Sequence, residues 1–420
     1  AELAVCLDVL AVAQNQRGVR HGGGKHGVFR GSGGDGGGGD GEFDFTATME
    51  LGDYTLIVTL DDGQGGVRDI VKSAVAPAGL LEVHVSPSGS STFPYDTPAT
   101  ALADIQTAVD SCLSGGKVIV HDGTYALKET VRIEKGLTLM SEHGRDATAL
   151  ASSSVRLLYL NHADARAEGF AIRGGKGGGL AGDTAIGGGV LIGKAGGTLD
   201  KCILESCANS TSGGAMALLA TNAVVRRTIF RSNSSSGYGG GVYVTSGGGV
   251  IDNCLFYGNS ANWGGAVYSD GTGPKVRILN TTALDNKGQG GNITDYASAH
   301  NATAINTIST FANVSQSHCL GSTAFTDQPN SDYSLAIGAT AIDAGVAYEG
   351  MCETDLAGNP RLSGEGVDIG AYERSAEELT VDVAVDVAKA DFTGDVVYTL
   401  TPSVTGAQAA TLDWSIRRGD

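Results

Sequence analysis

The chain has 420 residues, a formal net charge of −18, and 65 glycines against 8 prolines. This acidity argues against nucleic acid and anionic membrane surfaces as general partners, and so much glycine without a three-residue period argues against collagen and for many tight turns. No run of about 18 apolar residues occurs, so the sequence predicts no transmembrane segment.

Residues 1–40 lack any usable periodicity and contain the glycine-rich stretches HGGGKHG and GGDGGGGDG. Such a composition is typical of a flexible, low-complexity linker. His21 and His26 are able to bind a metal there, but we interpret them as solvated linker residues. Because the chain opens without a basic leader and stops abruptly, we expect it to be an interior piece of a longer protein.

Residues 41–78 contain the first regular pattern, in which a strand at Tyr54–Leu60 is connected by a glycine-containing turn to a returning strand at Val67–Val71. This hairpin resembles the last hairpin of PKD-type immunoglobulin-like modules. We therefore interpret residues 41–78 as part of such a module.

A new unit begins at Val83, and a helix is predicted near its start, over about residues 100–113. Thr97 or Thr100 is positioned to cap this helix, and Gly115 and Gly116 are expected to end it. One apolar face on a single short helix must cover something, and we expect it to cover the open end of the repetitive unit that follows. The apolar residues that recur at helical spacing are Leu102, Ile105, Val109 and Leu113.

Residues 225–268 contain the same sequence motif twice. A Phe-x-x-Asn element at Phe230–Asn233 and again at Phe256–Asn259 is followed each time by a Gly-Gly pair and a Val-Tyr pair, so the step is 26 residues. A period of this size, built from short β runs and glycine turns, is typical of a solenoid.

Extended outward, the repeat places residues in two stacked columns that face inward, because alternate residues of a strand share a face. Asn233, Asn259 and Asn286 recur three residues after the first column and are expected to form hydrogen bonds along the stack. The pattern predicts an all-β fold, a right-handed single-stranded parallel β-helix of about eight rungs over residues 83–320. The first column comprises Val120, Leu139, Ile172, Leu204, Phe230, Phe256, Ala283 and Ser309, and the second comprises Val118, Leu137, Phe170, Cys202, Thr228, Cys254, Thr281 and Thr307.

Three parts of the chain resemble known families. The Phe-x-x-Asn and Gly-Gly-Ala elements of residues 230–267 resemble repeats of chlamydial-type polymorphic outer-membrane proteins, and residues 83–373 resemble secreted bacterial β-helix proteins of the pectate-lyase-like superfamily. Residues 321–374 resemble the choice-of-anchor Q domain, which implies an end of the β-helix and no catalysis. That resemblance rests on Asp332-Tyr333-Ser334-Leu335, Ala341–Gly345, Asp355–Arg361 and Val367–Glu373.

Residues 375–420 contain ADFTGDVVYTLTPSV and resemble the truncated start of another PKD-type module. A β-helix between two immunoglobulin-like pieces implies an extracellular or cell-surface bacterial protein with several domains.

The seven cysteines include no CxxC pair and no Cys/His zinc spacing. Cys202 and Cys254 fall two repeats apart, which at about 4.8 Å per rung separates them by about 10 Å, beyond the reach of a disulfide. We expect both to be small buried core residues. Cys319 and Cys352 are the pair that we consider for a bridge.

Candidate catalytic residues lie at outward positions of the repeat, in one column of Asp200, Arg226 and Asp252 and another of Arg173, Glu205, Arg231 and Tyr257. Opposite charges on neighbouring strands stabilise a sheet by about 0.2–1 kcal/mol per pair, so we favour a surface salt ladder, which can mimic an active site. The alternative is a polysaccharide lyase in which Arg231 is the base, Asp200 and Asp252 bind Ca²⁺, and Glu205 lies nearby.

Aromatic side chains are scarce in this chain but cluster in the regular repeats. Trp263, Tyr257 and Tyr238 are the candidate ligand-binding residues, since exposed aromatic rings can stack on sugars; for Tyr243 and Tyr268 we expect packing roles. The histidines of the solenoid share no repeat position, and we expect turn roles for them. The candidate Ca²⁺ ligands of the last part are Asp332, Asp343, Asp355 and Asp368, which capping turns explain equally well.

These observations favour a non-catalytic extracellular or cell-surface module for adhesion, glycan binding or display. Its expected partner is a polysaccharide, a cell-surface glycan or a protein, and we expect no cofactor, with Ca²⁺ as the alternative. A Ca²⁺-dependent polysaccharide lyase and a purely structural spacer are the two other hypotheses.

Overall fold

The computed structural model describes residues 80–178, 185–245, 248–270, 276–295 and 302–374, together with six strands outside these ranges. The chain forms two compact units, one of residues 1–81 with 111–113 and the other of residues 82–110 with 114–420. No helix of the described part is long and apolar enough to cross a membrane, in agreement with the sequence.

The first unit contains a four-stranded antiparallel sheet in the order Gly27–Arg30, Cys6–Ala13, Asp53–Asp61, Val67–Val75. The predicted hairpin is confirmed, because Asp53 pairs with Val75 and Asp61 with Val67. The linker interpretation of residues 1–40 does not hold for the two strands that lie there. The run Cys6–Ala13 has no glycine and is rich in valine and leucine, a composition that suits a strand. His21 and His26 lie outside the described residues.

The second unit is a solenoid of parallel strands with three faces, which we call faces I, II and III. The chain runs from face I to face II to face III in each turn, so every strand pairs with its equivalent one turn away. The predicted all-β parallel β-helix is confirmed, and parallel crossovers of this kind are right-handed.

Face I has ten strands and faces II and III have eight each. Face I consists of Leu80–Val85, Cys112–Val120, Thr138–Ser141, Arg166–Glu168, Gly197–Asp200, Ala223–Arg226, Gly249–Asp252, Val276–Leu279, Ala302–Ile305 and Ser315–Ser317. Face II consists of Gly123–Ala126, Thr148–Ala151, Ala171–Arg173, Ile203–Glu205, Ile229–Arg231, Leu255–Tyr257, Thr282–Ala283 and Ile308–Ser309. Face III consists of Val131–Ile133, Leu158–Leu160, Val190–Ile192, Met216–Leu218, Val242–Val244, Val267–Ser269, Ile293–Asp295 and Phe311–Ala312.

Between faces II and III the chain forms a fourth, short parallel sheet, the corner sheet, of Ala208–Asn209, Ser234–Ser235, Ser260–Trp263 and Lys287–Gln289. In the C-terminal region, Thr380–Ala388 and Val397–Thr405 form an antiparallel pair. The PKD-type resemblances of residues 41–78 and 375–420 stay predictions.

The first predicted column is confirmed from Ile172 onward, where equivalent residues of face II pair from turn to turn. Its clearest contact is the stack of Phe230 on Phe256, with ring centroids 4.4 Å apart and planes 3° from parallel. Val120 and Leu139 were wrongly placed in this column, because both lie on face I. The face II positions of the first turns belong to Tyr125 and Leu150, and the irregular lengths of those turns hide this register in the sequence.

The second predicted column, from Phe170 onward, lies at the corner between faces I and II, and its members are fully buried. The placement of Val118 and Leu137 in this column is wrong, because Val118 lies within a strand of face I and Leu137 directly precedes the next strand of that face. The residue before each corner position has a left-handed backbone, as at Lys201, Arg227, Asn253, Asn280 and Asn306. The left-handed residue turns the chain sharply from one face to the next. Cys202 and Cys254 are therefore buried free thiols in this column, as predicted.

The predicted asparagine ladder is confirmed. The Asn233 amide nitrogen Nδ2 donates to Asn259 Oδ1 at 2.8 Å, and Asn259 Nδ2 donates to Asn286 Oδ1 at 2.8 Å. The same oxygens accept the backbone N–H groups of Asn233 and Asn259. Because Asn233 and Asn259 are almost completely buried, these bonds satisfy polar groups that would otherwise be costly to bury.

The Gly-Gly pairs of the repeat have two different roles. The first glycine of each pair, such as Gly239 or Gly264, has a positive φ that other residues adopt with strain. The second glycine leaves no room for a side chain, since a Cβ on Gly240 would collide with the carbonyl oxygen of Gly265 in the next turn.

The predicted helix is shorter than expected and spans Ile105–Ser111. Asp104 caps it, since Asp104 Oδ1 accepts the N–H of Thr107 at 2.7 Å. The prediction of Thr97 or Thr100 as the cap is wrong because Leu102 still pairs with Val85 in an extended conformation.

The predicted end of the helix is also corrected. Strand Cys112–Val120 follows the helix at once and includes Gly115 and Gly116. The covering role agrees with the structure, because Ile105, Ala108 and Val109 are buried and the Gln106 amide forms hydrogen bonds with the backbone of Arg132 in the first strand of face III.

Residues 321–374 do not extend the stack but pack against the outside of face II; we call them the C-terminal segment. The segment contains an antiparallel pair of strands, Phe325–Asp327 and Asp332–Leu335, around a 3₁₀ turn at Gln328–Asn330. Its backbone is tied to the solenoid where Gly370 N–H donates to Asn306 O and Ala371 N–H donates to Thr282 Oγ1. The buried residues of this interface are Leu255, Leu284, Ile308, Tyr333, Leu335, Ala339, Ala341, Leu356, Ile369 and Ala371.

The proposed Cys319–Cys352 bridge is wrong, because both cysteines are free. Cys319 Sγ lies near Ala304 O at the end of the solenoid, whereas Cys352 Sγ donates to Asp252 Oδ2 at 3.3 Å. The two thiols are thus engaged with different turns.

We predict that Gly240→Ala lowers the free energy of unfolding by about 1–3 kcal/mol, because the added methyl group must displace the backbone of the next turn. Gly321→Ala is the matched control, since nothing lies within 4 Å of a Cβ there. Urea denaturation followed by circular dichroism measures both variants. Equal stabilities of the two variants would contradict the steric role of the second glycine.

Candidate functional site

The two predicted columns of outward charges are confirmed in register. Asp200 pairs with Arg226, and Arg226 pairs with Asp252, on face I. On face II, Arg173, Glu205, Arg231 and Tyr257 follow one another from turn to turn. The structure therefore brings the candidate catalytic residues together as pairs of neighbours within each face.

Asp200 is completely buried beneath three arginines. Its Oδ2 lies 2.5 Å from the guanidinium nitrogens of Arg166 and Arg227, and its Oδ1 accepts a hydrogen bond from Arg227 Nε at 2.9 Å. Burial alone would raise the pKa of Asp200, but the hydrogen bond and charge of Arg227, with the charges of Arg166 and Arg226, outweigh it and lower the pKa. A carboxylate whose two oxygens already contact guanidinium groups is poorly placed to bind Ca²⁺.

Glu205 lies between two arginines of its own column. Its Oε1 accepts a hydrogen bond from Arg173 Nε at 2.5 Å, and its Oε2 accepts one from Arg231 Nε at 2.7 Å. The hydrogen bond with Tyr257, followed by that with Glu205, raises the pKa of Arg231, so its guanidinium stays protonated. A lyase base must be deprotonated to accept a proton, and this geometry supports the salt-ladder interpretation.

Asp252 has a different environment from Asp200, although both occupy the same column. It is almost completely buried, and the C-terminal segment covers it: Tyr348 OH donates to Asp252 Oδ1 at 3.0 Å, and the Cys352 thiol donates to Oδ2. Asn280 Nδ2 lies 3.3 Å from the same Oδ1. Burial raises the pKa of Asp252.

Sequence reasoning missed this covering segment. Arg227 also contacts the C-terminal segment, because Arg227 Nη1 donates to Thr354 Oγ1 at 3.2 Å. The ring of Tyr257 packs against the ring of Tyr333 in this segment, with centroids 5.3 Å apart. Tyr257, predicted to contact a ligand, is therefore partly covered. No periodic signal marks the segment, because its residues contact the solenoid through irregular loops.

The aspartates proposed as Ca²⁺ ligands in the C-terminal segment hold turns together. Asp343 Oδ1 accepts the N–H groups of Glu365 and Gly366, and Asp355 Oδ1 accepts those of Ala357 and Asn359. The two oxygens of Asp368 accept the N–H groups of Asp343 and Arg374. Asp332 Oδ1 accepts the N–H of Ser334 at 3.0 Å. These contacts support the capping-turn interpretation.

The remaining predicted ligand-binding residues, Tyr238 and Trp263, lie near Tyr243 and Tyr268, for which packing roles were expected. We call these four residues the aromatic patch. Tyr238 and Trp263 are paired on neighbouring turns at the corner sheet and are 40% and 42% exposed. The Tyr238 ring packs against Tyr268, with centroids 4.5 Å apart, and Tyr268 packs beside Tyr243. Tyr268 is buried, as the expected packing role requires.

A cavity of about 440 Å³ lies at the corner between faces I and II. Its lining includes the turn that holds Glu142 and His143, residues 354–358 of the C-terminal segment, and Lys201 and Arg227. At its edge the ligand atoms of Asp122, Glu142 and His143 lie within 4.8 Å of one another. The sequence predicts only a turn role for His143 and does not predict this cluster. The irregular lengths of the first turns hide the register that brings the three residues together.

Residues 157–315 match a family model described as "Right handed beta helix region". The match covers the turns in which the column register is regular, and it agrees with the parallel stacking of the three faces. No curated protein and no solved structure matches the chain. The resemblances to choice-of-anchor Q domains, PKD-type modules and polymorphic outer-membrane repeats stay predictions.

We predict that Asp200→Asn lowers the free energy of unfolding at pH 7 by up to about 3 kcal/mol, because it leaves three partly buried guanidinium groups without their buried counter-charge. The pKa of Asp200 is lower in the folded chain than its usual 3.8. Its stabilising effect is therefore present above about pH 4 and is lost as the pH falls through the lowered pKa. Urea denaturation at pH 7 and pH 3 measures the free energy of unfolding of both chains. We expect the free energies of the wild type and the variant to differ less at pH 3 than at pH 7.

Asp252→Asn is the matched control, since the folded-state pKa of Asp252 is raised instead. A carboxyl group whose pKa is raised in the folded state contributes stability at low pH, and this stability is lost as the pH rises. The free energy of unfolding of the wild type, relative to that of this variant, should therefore be greater at pH 3 than at pH 7. The same pH trend for both variants would contradict the contrast between the two sites.

Proposed function

We propose that the chain is a non-catalytic extracellular or cell-surface binding module, and that the aromatic patch is the surface with which it binds glycans. The observation that carries this proposal is the pair of exposed aromatic side chains, Tyr238 and Trp263, on neighbouring turns. Sugar rings have apolar faces that stack on aromatic side chains, and tyrosine and tryptophan add a polar group that can form a hydrogen bond.

The spacing and support of the patch favour an extended ligand. Strands of neighbouring turns lie about 4.8 Å apart, so a chain of sugars running along the solenoid would meet Tyr238 and Trp263 on two successive turns. Tyr238 is held in place by Tyr268 and Tyr243. A patch that is ordered before the ligand arrives loses less entropy on binding.

The charged columns argue against lyase catalysis. Glu205 and Asp200 are each held by at least two arginines, and Arg231 lies against Glu205 and Tyr257. These contacts stabilise the stacking of the turns. A lyase would have to break several of them before Arg231 could remove a proton.

We predict that Trp263→Ala and Tyr238→Ala each weaken glycan binding about 5–30-fold, which corresponds to a loss of about 1–2 kcal/mol of stacking and burial. An array of neutral and acidic oligosaccharides, followed by calorimetry with the best oligosaccharide, measures the effect. Phe93→Ala is the matched control, because Phe93 is an exposed aromatic residue that is not part of the patch. Unchanged binding by both patch variants would contradict the assignment.

Assays on polysaccharides distinguish the glycan-binding module from a polysaccharide lyase and from a structural spacer. Release of unsaturated product from polygalacturonate with Ca²⁺ would overturn the non-catalytic proposal, and its persistence in Arg231→Ala would exclude Arg231 as the base. Absence of binding to every oligosaccharide and polysaccharide tested would leave the chain as a spacer.

A further inference from the structure

The first turns of the solenoid carry a group of metal-ligand side chains at the corner between faces I and II. Val120 and Ser141 are paired in register, so His121 and Asp122 lie beside Glu142 and His143 on the next turn. His143 Nδ1 lies 3.0 Å from Asp122 Oδ1 and 3.7 Å from Glu142 Oε2. Zn²⁺ binds nitrogen and oxygen ligands at about 2.0–2.2 Å in tetrahedral sites, which places neighbouring ligand atoms about 3.3–3.5 Å apart. The observed distances bracket this value.

The backbone fixes both turns that carry these residues. Glu142 N–H donates to Val120 O at 3.0 Å, and Gly144 N–H donates to Ser141 Oγ at 2.9 Å. On the neighbouring turn, His121 N–H donates to Val85 O at 2.9 Å. The three ligand side chains therefore project from rigid, neighbouring backbone positions, which is what a precise metal site requires.

A chain of hydrogen bonds connects Glu142 through His121 and His84 to Glu82. Glu142 Oε2 lies 2.5 Å from His121 Nδ1, His121 Nε2 lies 2.9 Å from His84 Nδ1, and His84 Nε2 lies 3.0 Å from Glu82 Oε1. His121 is nearly buried, so its contact with Glu142 is partly shielded from water. Outer contacts of this kind orient the ligands of metal sites and increase their affinity.

We propose that Asp122, Glu142 and His143 form a binding site for a divalent transition-metal ion of the Zn²⁺ type. One imidazole and two carboxylates suit Zn²⁺, Co²⁺ or Ni²⁺, whereas Ca²⁺ and Mg²⁺ prefer oxygen ligands alone. The two carboxylates balance the charge of a divalent ion. Glu142 and His143 also line the cavity described above, which leaves room for water or a ligand atom to complete the coordination.

Equilibrium dialysis of the metal-stripped full chain against ZnCl₂, with zinc measured by mass spectrometry, tests the site. We expect the wild type to bind one zinc ion per chain at this site. This binding should be lost in His143→Ala and in Asp122→Asn. His121→Gln should weaken zinc binding about 10–100-fold, as removal of an outer contact does. Thermal melts show whether each variant is folded, and visible absorption of the Co²⁺-loaded chain reports the coordination independently.

Two controls make the result specific. His162→Ala should bind zinc as the wild type does, because His162 is an exposed histidine whose carboxylate neighbour, Asp164, is 3.9 Å away. His21→Ala/His26→Ala tests the two histidines of the glycine-rich stretch. The proposal is overturned if the chain retains no zinc, if His143→Ala retains as much as the wild type, or if zinc is lost only in the double variant.

Discussion

Every turn of this solenoid must fit against a copy of itself at the spacing of parallel strands, about 4.8 Å. Each residue therefore meets its own equivalent on the neighbouring turn, and a residue type persists only if it tolerates that neighbour. Stacked glycines satisfy the condition where a Cβ on Gly240 would strike the carbonyl oxygen of Gly265. Stacked asparagines satisfy it where Asn233 donates to the amide oxygen of Asn259. In these turns the glycines let neighbouring backbones approach closely enough to pair, and the asparagine bonds satisfy the polar groups that the approach buries.

Stacking also governs the outward charges. Identical charges on neighbouring turns would repel, and the columns accordingly place Asp200 beside Arg226 and Glu205 beside Arg231. The C-terminal segment then covers part of face I, where Asp252 receives hydrogen bonds from Tyr348 and Cys352. The same column thus contains an ionised carboxylate held by arginines and a carboxyl whose pKa is raised by burial. The difference arises from what covers each residue and not from the repeat itself.

The regular turns could be predicted from sequence because the information is local and periodic. The step from Phe230 to Phe256 and the recurring asparagines define the register without any knowledge of the rest of the chain. The first turns have irregular lengths, so Val120 and Leu139 were assigned to the wrong face. The C-terminal segment could not be placed because its contacts, such as that of Tyr348 with Asp252, join residues far apart in sequence without a period. The same limit applies to the proposed Cys319–Cys352 bridge, because the placement of the C-terminal segment puts the two thiols beside different turns.

These differences bear on where function is to be sought. A residue type that recurs at the same position of successive turns is explained by stacking alone, as Phe230 and Asn259 are. The corner between faces I and II illustrates the contrast, because its later left-handed positions are asparagines, whereas the corresponding part of the first turns contains His121, Asp122, Glu142 and His143. Tyr238 and Trp263 similarly project an exposed aromatic pair from a corner where Ser212 occupies the equivalent position one turn earlier. Stacking requires neither group, and functional sites are expected where a chain departs from its own structural rule.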